Sequence, residues 1–166
     1  MAQPAVVLTL EGPGGPSPAG RPVPIAVSVR NAGSEPVWLP GVLDGSEDGT
    51  RYPLYRPRVL RDGEVVAAPG TAEDPLVGPV RDSDLRRLEP GESFDPTGGR
   101  GLSTFNNYVP PEPGAYVYAL TLSTEAEPER FLGRFNQDRA IVEPLKRIPR
   151  LELTATTQVE MGPPTR

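Results

Sequence analysis

The segment at residues 44–50, which reads DGSEDGT, has the residue types and spacing of a calcium-binding loop. Oxygen-bearing side chains at alternate positions, here Asp44, Ser46 and Asp48, followed by a glycine for a sharp turn, are what a hard cation requires. The closing half of the pattern is missing, because Tyr55 stands at the twelfth position, where a bidentate glutamate is needed. We therefore interpret the segment as an acidic, solvent-exposed turn, with calcium binding as the alternative, and we predict no cofactor.

Two further segments have residue types that bind ligands in other proteins. Residues 98–101 (GGRG) are glycine-rich, but no Gly-Lys-Ser/Thr follows them, so they predict a flexible loop and not a phosphate site. Phe105 and Tyr108 flank two asparagines on a long connection, which would suit a sugar or peptide contact surface. We favour the alternative that these two rings fold back over one end of the core, and Phe131 and Phe135 present the same choice.

The residue types of hydrolytic catalysis are scarce in this chain. It has no histidine and no cysteine, so a serine nucleophile would lack its usual base, and the one lysine, Lys146, is not in a Ser-x-x-Lys arrangement. Carboxylates are present but scattered, and we expect most of them on solvated strand edges and turns: Glu11, Glu47, Asp82, Glu92 and Glu152. The sequence therefore predicts a protein that is not an enzyme, although a carboxylate pair stays open as an alternative.

The elements that would position these residues read as β-strands. Tyr116, Tyr118, Leu120 and Leu122 alternate with small residues after a Pro-Gly turn, which is typical of a strand with one buried face. A second strong signal is a hairpin over residues 58–66, in which Asp-Gly supplies the positive φ of a tight turn. Further short runs of apolar residues, some of them alternating, predict additional strands at residues 5–10, 23–29, 36–39, 85–88 and 151–159.

Three long connections separate these strands, at residues 69–84, 95–112 and 124–149. Compact domains rarely keep loops of this length without a use or local structure of their own. The third connection contains a candidate short helix at residues 136–142, capped by Asn136 and ended by Pro144. After residues 31–34, the chain enters either a hairpin or an arch that switches sheets.

Length, charge and hydropathy limit the domain organisation and the classes of partner. The 166 residues are enough for one domain, which we place at residues 1–161, followed by a mobile tail at residues 162–166. The net charge of −5 argues against nucleic acid or an anionic membrane as a partner. No apolar run approaches the roughly 20 residues of a membrane span and the N-terminus lacks the layout of a signal peptide, so we expect a soluble chain. The cellular compartment and the oligomeric state stay open.

About seven strands, a tryptophan early in the order and a Gly-x-Tyr late in it resemble the immunoglobulin-like sandwich family. The resemblance implies an all-β fold with long loops, in which Trp38 is a core residue on the third strand and Tyr116 forms the tyrosine corner. Val27 and Tyr118 stand at the approximate places of that family's cysteines. The turn motifs at residues 88–92 and 113–116 are also similar to the bacterial intracellular proteinase inhibitor type of single-domain sandwich.

These observations favour a non-enzymatic binding or structural module, with a protein as the expected partner. One alternative is a proteinase inhibitor that presents an extended loop, for which the proline-rich residues 69–84 are stiff enough. A carboxylate-based enzyme acting on glycans is the other alternative.

Overall fold

A computed structural model describes residues 5–40, 54–69, 85–125 and 146–164 of the chain. These residues form an all-β fold, as the sequence predicts, with ten strands where the alternating runs predict about seven, and one helix. The elements in chain order are β1 (Val6–Glu11), β2 (Ser17–Pro18), β3 (Ala26–Asn31), β4 (Val37–Pro40), β5 (Leu54–Arg61), β6 (Glu64–Ala67), β7 (Leu85–Leu88), β8 (Ser93–Phe94), α1 (Ser103–Asn107), β9 (Gly114–Ser123) and β10 (Glu152–Gly162).

The strands form three sheets. A three-stranded antiparallel sheet has the order β1-β3-β8, a five-stranded sheet has the order β2-β10-β9-β5-β6, and β4 pairs with β7 alone. Within the five-stranded sheet only the two-residue strand β2 runs parallel to its neighbour, which is the last strand β10. Because β10 extends through Gly162, the segment at residues 162–166 begins inside a strand and not after it.

One hydrophobic core joins the three sheets, since the buried side chains come from all of them. The four residues on β9 that the alternation assigns to one face, Tyr116, Tyr118, Leu120 and Leu122, are all fully buried. They lie beside the buried face of β5, and β1 of the three-stranded sheet packs over β9 and β10. Burial of this apolar surface supplies the main driving force for the fold.

The hairpin predicted at residues 58–66 is confirmed as β5 and β6, with Asp62 and Gly63 at φ of 52° and 80° in the turn. Strand β5 begins four residues earlier than the sequence indicates, at Leu54. It includes Pro57, which has no N–H for a ladder. The proline is tolerated because β6 pairs only with Val59, Leu60 and Arg61, so one edge of β5 is not paired with β6 at Pro57.

Asn31 fixes the path from β3 to β4, which is an arch between sheets and not a hairpin. Its buried side-chain amide donates hydrogen bonds to the carbonyls of Glu35 at 2.8 Å and Leu88 at 3.1 Å, and its Oδ1 accepts one from the N–H of Gly33 at 2.9 Å. The backbone of Asn31 also exchanges hydrogen bonds with the turn before β8, through Gly91 and Glu92. One asparagine therefore joins three elements that are distant in sequence.

The expectation that Trp38 is a core residue is wrong. On β4 the residues that face the core are Val37 and Leu39, and the alternation along the strand turns Trp38 away, where it is half-buried beneath the guanidinium of Arg147 at 5.8 Å from the ring centroid. The large aromatics of the core are instead Tyr55 on β5 and, on β9, Tyr116 and Tyr118, which are fully buried.

Within the described residues, no helix has the length and apolar character needed to cross a membrane. The helix predicted at residues 136–142 lies outside the described residues. The helix that the structure does contain, α1, lies in the second long connection and packs against β5.

Candidate functional site

Several of the predicted sites lie outside the described residues. These are the calcium candidates Asp44, Ser46 and Asp48, the aromatics Phe131 and Phe135, and residues 70–84 of the candidate inhibitory loop. Tyr55, which would close the calcium pattern, points into the core, so its side chain contributes nothing to a cation site.

Phe105 and Tyr108 lie against the core at one end of the sheets, as the favoured interpretation predicts. Phe105 on α1 is 1% exposed, and its ring meets Tyr118 edge-to-face with the centroids 5.1 Å apart. Tyr108 is half-buried, with its ring centroid 6.3 Å from that of Tyr116, and desolvation raises its pKa. The Phe105 ring is thus a core anchor and is not available to a ligand.

The glycine-rich residues 98–101 form a hydrogen-bonded turn. The carboxylate of Asp95 accepts hydrogen bonds from the backbone N–H groups of Thr97 at 2.7 Å and Gly99 at 3.1 Å. The N–H of Gly101 donates to the hydroxyl of Thr97 at 3.0 Å. These backbone donors, which a phosphate would need, are already used by side chains of the loop.

A network around Arg61 closes the same end of the molecule. Its Nη1 donates to Glu112 Oε2 at 2.8 Å and to the Tyr116 hydroxyl at 3.0 Å, and its Nη2 donates to the carbonyl of Pro113 at 3.1 Å. The hydrogen bond to Glu112 raises the pKa of Arg61 further above its ordinary value. Tyr116 in turn donates to the carbonyl of Glu112 at 3.0 Å, so the network ties the β5–β6 hairpin to the turn before β9.

Tyr118 lies two residues beyond Tyr116 on the same buried face and has no such network. Its hydroxyl is buried and has no hydrogen-bond partner among the described residues. Burial raises the pKa of Tyr118, and also that of Tyr55. Neither group is therefore ionised in the folded protein near neutral pH.

The candidate carboxylates do not form a catalytic pair among the described residues. Glu11, Glu92 and Glu152 are all exposed and lie on different elements, while Glu47 and Asp82 lie outside the described residues. Within the described residues, no three acidic side chains come together as a candidate metal site.

The most distinctive surface is the side of the five-stranded sheet that points away from the core. We define the outer face as the outward-pointing residues of three strands: Arg56, Arg58 and Leu60 on β5; Ala115, Val117, Ala119, Thr121 and Ser123 on β9; and Glu152, Thr154, Thr156, Gln158 and Glu160 on β10. The register aligns these residues in rows across the sheet, so that Arg56 lies beside Thr121 and Thr121 beside Thr154.

Arg56 and Arg58 are the outstanding residues of the outer face. Both side chains are exposed, and neither forms an ion pair or a hydrogen bond with another described residue. The residues beside them are short, and the hydroxyls of Thr121 and Thr154 hydrogen-bond to each other at 3.0 Å. Within the described part of the chain, neither guanidinium is paired, and the residues beside them on β9, Thr121 and Ala119, have short side chains.

Charge is distributed unevenly across the three strands of the outer face. Strand β5 carries the two arginines, β9 carries no charged residue, and β10 carries Glu152 and Glu160, both exposed. The face therefore has a basic flank and an acidic flank, separated by one neutral strand about 5 Å from each.

Sequence reasoning missed this face, because the strand prediction began at Arg58 and omitted Arg56. The signal was present: residues 55–59 read YRPRV, in which apolar residues alternate with the two arginines. The proline between them disguised the strand, since proline is uncommon inside a sheet.

No protein-family model matches this chain, and no curated protein is significantly similar to it in sequence.

Proposed function

We propose that this chain is a non-enzymatic protein-binding module with an immunoglobulin-like sandwich fold, and that its partner docks on the outer face. The observation that carries the proposal is two exposed arginines, Arg56 and Arg58, which pair with no other described residue and lie in adjacent rows of the sheet surface.

The immunoglobulin-like assignment is supported by three features. The two larger of the three sheets are both mainly antiparallel and contribute to one core, in which Val27 and Tyr118, at the approximate cysteine places of the family, are both buried. The Tyr116 hydroxyl bonds to a backbone carbonyl four residues upstream, which is the geometry of a tyrosine corner. The departures from the family pattern are the separate β4–β7 pair and the half-buried Trp38.

A protein is the partner class that best fits the chemistry of the outer face. Arginine is enriched at protein interfaces because its planar guanidinium bonds carboxylates in a bidentate manner and its stem covers apolar surface. Small-molecule sites are usually concave, whereas this surface is one face of a sheet, with short side chains on β9 between longer ones on β5 and β10. The net charge of −5 disfavours a polyanion as partner.

The proposal is tested by affinity capture from the source organism with matched variants. The immobilised protein, an Arg56→Glu/Arg58→Glu variant and an Arg21→Glu/Arg30→Glu control are compared. The control makes the same change in net charge at two exposed arginines that lie outside the outer face. Circular dichroism and thermal melting first establish that all three are folded.

We expect a specific protein to be retained by the parent and by the control variant, and to be lost from the Arg56→Glu/Arg58→Glu variant. Loss of more than about 90% of the captured protein would correspond to a tenfold or larger weakening of binding. Equal retention by all three proteins would contradict the proposal, and so would retention of nothing by the parent.

A further inference from the structure

The charge distribution on the outer face is self-complementary. Its basic flank on β5 and its acidic flank on β10 lie on either side of the neutral strand β9. We propose that the outer face binds a second copy of this chain, in a face-to-face dimer whose two-fold axis runs parallel to β9. This inference rests on the proposed function and names the partner of the same surface.

Two-fold symmetry and the positions of the charges favour one arrangement of the two copies. A two-fold axis parallel to the strands exchanges left and right, so β5 of each copy, which carries the arginines, lies over β10 of the other, which carries the glutamates. A two-fold axis in the sheet plane but perpendicular to the strands would place β5 over β5, so that arginines face arginines. Like charges placed against each other repel, which disfavours the second arrangement.

The reach of the side chains is compatible with the first arrangement. Strands β5 and β10 run in the same direction, and the register places Arg56 level with Thr154 and Arg58 level with Thr156. Across the axis, Arg56 of one copy therefore lies one row, about 7 Å along the strand, from Glu152 of the other. An extended arginine side chain spans that distance.

The neutral strand at the axis allows the two sheets to approach closely. The residues at the axis include Val117 and Thr121 on β9, which are partly exposed and have short side chains, while Ala119 between them is 1% exposed. The face measures about 30 Å by 15 Å from the sheet spacings, so a dimer would bury about 800–1,000 Å² in total. Since stable interfaces bury at least about 1,200 Å², we expect weak association, with a Kd on the order of 0.1 mM.

The test is sedimentation equilibrium of the full chain between about 10 μM and 1 mM, at low and at high salt. We expect the parent to be a monomer–dimer equilibrium whose Kd rises at least about tenfold between 20 mM and 500 mM salt, because exposed ion pairs are screened. The Arg21→Glu/Arg30→Glu control should dimerise like the parent.

Two charge-reversal variants identify the interface. Arg56→Glu/Arg58→Glu makes both flanks acidic, and Glu152→Arg/Glu160→Arg makes both flanks basic. Each variant alone should remain a monomer at 1 mM. An equimolar mixture should form a heterodimer that is tighter than the parent dimer, and the variant with all four changes should recover self-association.

The outcomes separate this inference from the proposed function. A parent that stays monomeric at 1 mM, or a dimer that persists in both charge-reversal variants, would overturn the inference. In either case, capture of another protein that depends on Arg56 and Arg58 would leave the proposed function standing. A dimer with the expected variant behaviour supports both.

Discussion

The same substitution at two positions on one strand should have opposite effects on stability. Tyr116 and Tyr118 both point into the core from β9 and both are fully buried. The Tyr116 hydroxyl donates to the carbonyl of Glu112 and accepts from Arg61, both at 3.0 Å. The Tyr118 hydroxyl has no partner among the described residues. Replacement by phenylalanine removes only the hydroxyl in each case.

The magnitudes follow from the hydrogen bonds. Tyr116→Phe loses two hydrogen bonds worth about 0.5–1.5 kcal/mol each, so the free energy of unfolding should fall by about 1–3 kcal/mol. Tyr118→Phe relieves a buried hydroxyl that lost its water without gaining a partner, a cost of about 1–3 kcal/mol in proteins. Because the phenolic ring still fills its space, we expect Tyr118→Phe to be about 1 kcal/mol more stable than the parent.

Urea denaturation at pH 7, monitored by far-ultraviolet circular dichroism, measures both values. With a slope of about 2 kcal/mol per molar urea, the two variants should differ in midpoint by about 1 M or more, on opposite sides of the parent. Equal slopes confirm that the variants unfold like the parent. If Tyr118→Phe destabilises the protein as much as Tyr116→Phe does, the Tyr118 hydroxyl has a partner and the reasoning is refuted.

Three further predictions concern the same fold. Asn31→Ala should cost about 2–4 kcal/mol in urea denaturation, because it leaves buried carbonyls without donors; a cost below about 1 kcal/mol would contradict the role given to the amide. Trp38→Ala should lower the free energy of unfolding by about 1–2 kcal/mol and Leu39→Ala by about 3 kcal/mol. A larger loss for Trp38→Ala than for Leu39→Ala would show that Trp38 is the core residue. Burial raises the pKa of Tyr118 and Tyr55 above the value of about 10 that tyrosine has in the unfolded state. The free energy of unfolding should therefore be level below about pH 10 and fall above it, because the unfolded state then loses protons that the folded state keeps. Urea titrations from pH 8 to 11 should show a shallower fall for a Tyr118→Phe variant.

Local sequence patterns predicted the strands and turns whose structure depends on neighbouring residues in the chain. Alternation of apolar and small residues identified β9 and its buried face, and Asp62-Gly63 identified the β5–β6 hairpin, because a tight turn needs backbone conformations that few residues adopt. The position of Tyr116 at the start of β9 was also predictable, since it follows a Pro-Gly turn.

The missed features depend on pairing between distant segments. Residues 37–39 are three apolar residues in a row, so alternation could not say whether Trp38 or its two neighbours face the core. Pairing of β4 with β7, which lies 45 or more residues away, decides it. Strands β2 and β8 have two residues each, too few to show any period, and exist only because a partner strand lies beside them.

The candidate site was missed for the same reason. Arg56 and Arg58 are two unremarkable arginines in the sequence, and the acidic residues of β10 lie almost 100 positions later. Only the register that places β5 and β10 on either side of β9 shows that they share one surface with opposite charges at its two flanks.

The most direct test of the account is photo-crosslinking in the source cells from the β10 flank of the outer face. p-Benzoylphenylalanine replaces Thr156 in one strain and Ala26, an exposed residue on β3 of the other sheet, in a second. The account predicts a discrete protein adduct from position 156, of twice the chain's mass if the partner is a second copy, and none from position 26. Adducts from position 26 alone, or equal adducts from both positions, would contradict it.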